Sequence, residues 1–202
     1  MPNVSIRLDE IGRICIKCKS LPVKNDGSME IVFGNSSGKL YIISDDGTRE
    51  LGYTLLGFIE GAPALVDVDG DQDLEIIFTT TTTSGGQLYV IHHNGITMSG
   101  FPKELGSMWV GPAVHDIDND GAYDVVCTTD DKEVYAIEVN GGEIKPGFPF
   151  TAQGRFDISP TLVDVDSDGD YEIVVGSNSG ELYVLHLDGT IFAEYHIGDD
   201  IR

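Results

Sequence analysis

The chain has 202 residues, 41% of them hydrophobic, enough for one domain with a sizeable core. Thirty-four acidic against twelve basic residues leave a formal charge of −22, which argues against nucleic acid as a partner, because that binding rests on Lys and Arg contacts with phosphate. No apolar run approaches the roughly 18 residues of a membrane span, and the polar start Met1-Pro2-Asn3-Val4-Ser5 is no signal peptide.

Taken from the N-terminus, Val4–Leu8 reads as an extra strand ahead of the first repeat, within a terminal segment of residues 1–10. Arg7, Arg13, Lys17, Lys19 and Lys24 crowd the first 24 positions. Cys15 and Cys18 form a C-x-x-C in an alternating run, where an offset of three puts them on opposite strand faces, so plain thiols are favoured over a metal or redox pair. With Cys127 they make three cysteines, which is no disulfide framework.

The next feature is a nine-residue acidic loop that recurs. Its fullest form is Asp116–Asp124, with carboxylates at places one, three, five and nine (Asp116, Asp118, Asp120, Asp124) and Gly121 at place six. Ca²⁺ takes six to eight oxygens from a tight loop, including a backbone carbonyl at place seven, here that of Ala122. The glycine lets the chain turn back beneath the ion. Downstream the same register holds Asp164, Asp166, Asp168, Asp170 and Glu172; upstream it holds Asp67, Asp69, Asp71, Asp73 and Glu75, with Gln72 in the glycine's place. Gln72 is expected to weaken that site or alter its turn. A worn copy has Pro22 and Lys24 at places one and three, then Asp26, Gly27 and Glu30; there the Lys24 ammonium is expected beside Asp26 and Glu30, partly replacing an ion. An EF-hand is excluded because place twelve carries Phe78, Cys127 or Val175 instead of a glutamate.

Measured on place five (positions 26, 71, 120 and 168), the copies lie 45, 49 and 48 residues apart, a period that signals a repeat architecture. Each repeat reads as four short strands. In the second these are Ala62–Val66, Leu74–Thr79, Gln87–His92 and a fourth from Ile96 onward, after the hairpin signal Asn94-Gly95. The middle strands are apolar on both faces and so belong to sheets packed on both sides. Radial stacking of four-stranded antiparallel sheets gives an all-β propeller of four blades, at about 11–54, 58–105, 108–154 and 156–199. The acidic loops and the Asn-Gly-type hairpins fall on one face. The connections between blades fall on the other, and their large residues Phe58, Met108, Trp109, Arg155 and Phe156 are candidates for a ligand face. Tyr41, Tyr89, Tyr135 and Tyr183 recur as packing residues, and Cys127 holds a core position.

These features resemble the FG-GAP/VCBS repeats of integrin-alpha-type propellers and of many bacterial surface and secreted proteins. The resemblance is carried by Phe33-Gly34, Gly61-Ala62-Pro63, the loop Asp116–Asp124 with its two near copies, and the Gly-Phe-Pro triplets at 100–102 and 147–149, and spans about residues 25–197. It implies calcium at about three sites, at the base of the blades, and a role in adhesion or ligand binding.

The expected function is a calcium-stabilised binding or adhesion module for protein or carbohydrate, extracellular or at the cell surface, without membrane insertion. No nucleophile elbow, phosphate loop or dinucleotide fingerprint is present. The five histidines show no zinc spacing, and His92 and His186 read as structural residues at strand ends. The rival expectation is the propeller of a polysaccharide lyase or hydrolase. Four blades also raise a question of closure: a segment of a longer propeller or a self-associating partial one is expected over a closed monomer, with Ile197–Arg202 leading toward another blade.

Overall fold

The computed structural model of the chain describes residues 19–55, 57–198 and 201; Val4–Leu8, Cys15, Cys18, Arg7, Arg13 and Lys17 lie outside them. Among the described residues there is no helix, and the strands form four separate antiparallel sheets of four. The first blade is β1 (Lys19–Leu21), β2 (Glu30–Gly34), β3 (Lys39–Ser44) and β4 (Arg49–Thr54). The second is β5 (Ala64–Val66), β6 (Glu75–Thr79), β7 (Gly86–Ile91) and β8 (Lys103–Leu105). The third is β9 (Ala113–His115), β10 (Asp124–Thr128), β11 (Glu133–Glu138) and β12 (Phe150–Thr151), and the fourth β13 (Thr161–Val163), β14 (Glu172–Gly176), β15 (Glu181–Leu185) and β16 (Ile191–His196). Each sheet is a meander whose first strands, β1, β5, β9 and β13, pack side by side from blade to blade.

The two-faced apolar strands explain the stacking. Phe78 and Tyr89 are cross-strand partners whose rings stack at 5.0 Å, and Phe33 and Tyr41 do the same at 5.2 Å. Cys127 faces Tyr135 at the same position of the third blade, and burial pushes its thiol up to about 12. One core joins the first and second blades around Val32, Ile42, Ile76 and Phe78; a second joins the second and third around Ile77, Val90, Val125 and Ile137; a third joins the third and fourth around Val126, Ala136, Ile173 and Leu185. No core cluster links the first blade to the fourth among the described residues, so these form an arc.

The connections supply the plug of each interface. Ile59, Met108 and Phe156 enter the first, second and third inter-blade cores, at 0, 0 and 3% exposure. Met108 and Phe156 are therefore no part of an exposed ligand face. They are large and apolar because a wedge-shaped gap has to be filled there. Gly34 makes room for Ile59, since a Cβ on it would lie 2.1 Å from Ile59 Cγ2. Gly176 stands in the same relation to Ile201, which follows the fourth blade.

The fourth strands also depart from expectation. In the first and fourth blades they follow the hairpin at once, but in the second and third only the isolated pairs Ile91 with Thr97 and Ile137 with Ile144 form there. The true strands, β8 and β12, come after the Gly-Phe-Pro triplets. Pro102 and Pro149 each follow a cis peptide and have no N–H for a ladder, so the strand is split around them. The glycines of these triplets make the contact with the next blade. A Cβ on Gly100 would lie 2.1 Å from the Gly141 carbonyl oxygen, and one on Gly147 1.7 Å from that of Asp188.

Candidate metal centre

Each acidic loop bridges the first two strands of its blade and is shaped by its own backbone. Asp67 accepts from the N–H groups of Gly70 (2.7 Å) and Gln72 (3.1 Å), Asp116 from Asp120 (3.1 Å) and Gly121 (3.0 Å), and Asp164 from Ser167 (2.6 Å) and Gly169 (3.2 Å). At place five, Asp71, Asp120 and Asp168 accept from the N–H at place seven, that of Asp73, Ala122 and Asp170. Two residues per loop are left-handed. At place six these are Gln72 (φ 77°), Gly121 (91°) and Gly169 (105°), and at place four Gly70, Asn119 and Ser167. Of the two expectations for Gln72, a weaker site or an altered turn, the second is not met: Gln72 keeps the glycine's turn and bears the strain of doing so.

The carboxylate at place nine lies at the base of the loop. Glu30, Glu75 and Asp124 are fully buried and Glu172 is 2% exposed. Each accepts the N–H of place two: Val23 at 2.7 Å, Val68 at 3.0 Å, Ile117 at 3.4 Å and Val165 at 2.9 Å. Burial raises the Glu75 carboxyl above its usual range, and the nearby Asp69 adds to this. Burial pushes Asp124 up to about 6 against the opposing pull of Lys145. A buried carboxylate is costly unless a cation or several donors compensate it.

The loops bring oxygens together as their spacing requires. Carboxylate oxygens of Asp67, Asp69 and Asp71 converge within 4.8 Å of one another, as do those of Asp116, Asp118 and Asp120, and of Asp164, Asp166 and Glu172. All-oxygen clusters of this kind fit a hard divalent cation. In the second and fourth blades the place-nine glutamate is also within reach: Glu172 belongs to its cluster, and Glu75 groups with Asp69 and His92. Asp168 and Asp170 stand on the rim. Among the buried oxygens left without a hydrogen-bond partner are two carboxylate oxygens of these loops, Glu30 Oε1 and Asp118 Oδ1.

Basic side chains were missed in the sequence. His92, expected as a plain structural residue, lies with Nδ1 3.1 Å from Glu75 Oε1 and 3.6 Å from Asp69 Oδ2. His93 approaches Asp73 at 3.2 Å and His186 approaches Glu172 at 3.9 Å. The signal was available in the strand register, because the residue after Ile91 comes opposite the residue before Ile76. In the third blade Lys145 Nζ lies 2.6 Å from Asp118 Oδ2 and 3.1 Å from Asp124 Oδ1. In the worn first loop Asp26 is held below its usual range, chiefly by the Ser28 N–H, with Lys24 contributing its charge.

On the opposite side, Phe58 (43%) and Trp109 (45%) are exposed, and the Trp109 ring N–H donates to Asp130 Oδ2 at 2.5 Å. Arg155 is half-exposed and pairs with Asp157 at 3.2 Å. These three remain of the expected ligand face. Two clefts open instead beside the acidic loops: one of about 370 Å³ between Asp118, Lys145 and Asp188, and one of about 490 Å³ lined by Asp168, Glu172 and His186.

No family model matches the sequence, and no curated protein does. Solved structures do match. The V. cholerae biofilm matrix protein Bap1 aligns with a TM-score of 0.67 at 19% identity, over 92% of this chain and 30% of Bap1. BBS1N, solved in complex with ARL6DN, gives 0.68 at 14% identity over 94% of this chain and 59% of its own. BamB from Moraxella catarrhalis gives 0.60 at 20% identity over 85% and 47%. Identities this low speak for fold alone: the chain is an all-β protein of the β-propeller class, with four four-stranded blades. It spans between 30 and 59% of the chains it matches.

Proposed function

We propose that the chain is a calcium-stabilised, non-catalytic β-propeller of the FG-GAP/VCBS type that serves as a binding or adhesion module for protein or carbohydrate outside the cell. The observation that carries this reading is the repeated cluster of carboxylate oxygens set above a buried ninth-place carboxylate. Calcium suits it because the donors are all oxygens on a short, turned loop, and extracellular calcium is concentrated enough to fill weak sites. The ions act on stability by binding the folded state alone. The conspicuous acid pairs are absorbed by the loops, which supports a role without catalysis.

Exposed Phe58 and Trp109, with Arg155 on the same side, support a recognition surface built on the connections between blades. That one similar fold belongs to a biofilm matrix protein and another was solved in a complex with a protein supports adhesion or protein binding as the use of such a surface. A further blade, from a longer chain or a second copy, covers the outer face of the fourth blade. Ile201 lies on Gly176 there as Ile59 lies on Gly34, and Val163 and Tyr195 are exposed. The test is a glycan and protein array run beside lyase and hydrolase assays on polysaccharides. Binding without turnover, weakened by Trp109→Ala, is expected; turnover of a polysaccharide would contradict the reading.

A further inference from the structure

The third loop is the most complete of the four in sequence, yet of the three that gather carboxylates it is the one that also holds an ammonium. Its ninth place is Asp124, one methylene shorter than Glu30, Glu75 and Glu172, and its reach to the place-two N–H is the longest of the four, at 3.4 Å. Asp124 is also absent from the cluster formed by Asp116, Asp118 and Asp120, whereas Glu172 belongs to its own. Lys145 reaches into this loop. Its side chain is 11% exposed and its Nζ contacts both Asp118 and Asp124.

Lys145 comes from the start of the split fourth strand, where its N–H donates to the Ala136 carbonyl. Met98 makes the same bond to Val90 in the second blade and packs into the apolar core. The matching partners in the first and fourth blades are Leu51 beside Ile42 and Ala193 beside Val184. The third blade has a cationic residue at this position, where the sequence has Leu51, Met98 and Ala193 in the others. Its neighbour across the ladder from Asp124 is Glu138, where the second and fourth blades have His92 and His186, so the third loop carries one more acid to offset.

We propose that the Lys145 ammonium stands in for the metal ion at the third loop, bridging Asp118 and Asp124, so that calcium is held by the Asp67–Glu75 and Asp164–Glu172 loops alone. An ammonium within 3.1 Å of two carboxylates supplies the compensating charge that a divalent ion would otherwise bring, and a hard cation cannot share that position. The third blade is then held together without calcium and keeps its loop when the other two are emptied.

This rests on the calcium reading, and the experiment separates the two. Bound calcium is counted by metal analysis of the full chain after dialysis at fixed pH against excess calcium. The wild-type chain is compared with Lys145→Met, which copies the second blade, and Lys145→Gln, which keeps a polar tip. The number in the wild-type chain tests the calcium reading: two ions are expected, and none would overturn it. The difference between variant and wild type tests the role of Lys145. One extra ion in either folded variant, lost again when Asp120→Asn is added, is the expected result. Three ions in the wild-type chain, or no gain in both variants, would overturn the proposal.

Discussion

Asp124 and Gln72 show how a single residue changes a loop whose pattern is otherwise kept. Gln72 occupies a left-handed position that Gly121 and Gly169 hold without strain. A non-glycine residue there costs about 1–2 kcal/mol, of which glycine's greater freedom in the unfolded chain returns about 0.5–1. The Asn25 amide donates to Gln72 Oε1 at 3.2 Å in an exposed position, which offsets little of this. Gln72→Gly is therefore expected to stabilise the chain by up to about 1.5 kcal/mol, read as a higher urea midpoint with an unchanged slope. A lower midpoint would show that the Asn25 contact outweighs the strain. The convergence of carboxylates within each loop was legible from spacing, because nine consecutive residues carry their own geometry. The roles of His92 and Lys145 were not, because they reach the loop across the sheet, from 17 residues beyond Glu75 and 21 beyond Asp124. Met108 and Phe156 were misread for a similar reason: a large apolar residue in a connection is exposed or a plug according to the gap between blades, and only packing decides.

At the level of elements, blades are joined by cores and by points of bare backbone contact. The middle strands and their order were legible because both faces are apolar and hairpin signals bound them. The fourth strands of the second and third blades were not, because the Gly-Phe-Pro triplets interrupt a strand that the hairpin seemed to begin. Those triplets join neighbours: Gly147, at φ 87°, abuts the Asp188-Gly189 turn of the fourth blade. Threonines do similar work, since Thr79 and Thr81 are buried and donate to the Val110 and Met108 carbonyls of the next connection. Gly147→Ala is expected to destabilise the chain by more than the ~1–2 kcal/mol of its left-handed backbone alone, because the new methyl also meets the Asp188 carbonyl. Proteolysis under native conditions would then cut first between the third and fourth blades. Unchanged stability would mean that this contact does not join them.

For the whole molecule, the repeat of about 48 residues determines a stack of blades, and among the described residues three inter-blade cores unite four sheets. On their loop side a high density of acid is gathered, and clustered carboxylates repel one another unless cations lie among them. On the proposal above, the Asp67–Glu75 and Asp164–Glu172 loops take calcium and Lys145 serves the third loop. The most direct test is the melting temperature of the full chain in millimolar calcium and in chelator. Each site filled at a hundredfold excess over its dissociation constant adds about 2.7 kcal/mol. A rise of several degrees with calcium is predicted, with a smaller rise for magnesium, which demands near-ideal octahedral geometry and gives up its water reluctantly. Identical melting with and without calcium, together with no ion bound at Asp67–Glu75 or Asp164–Glu172, would contradict it.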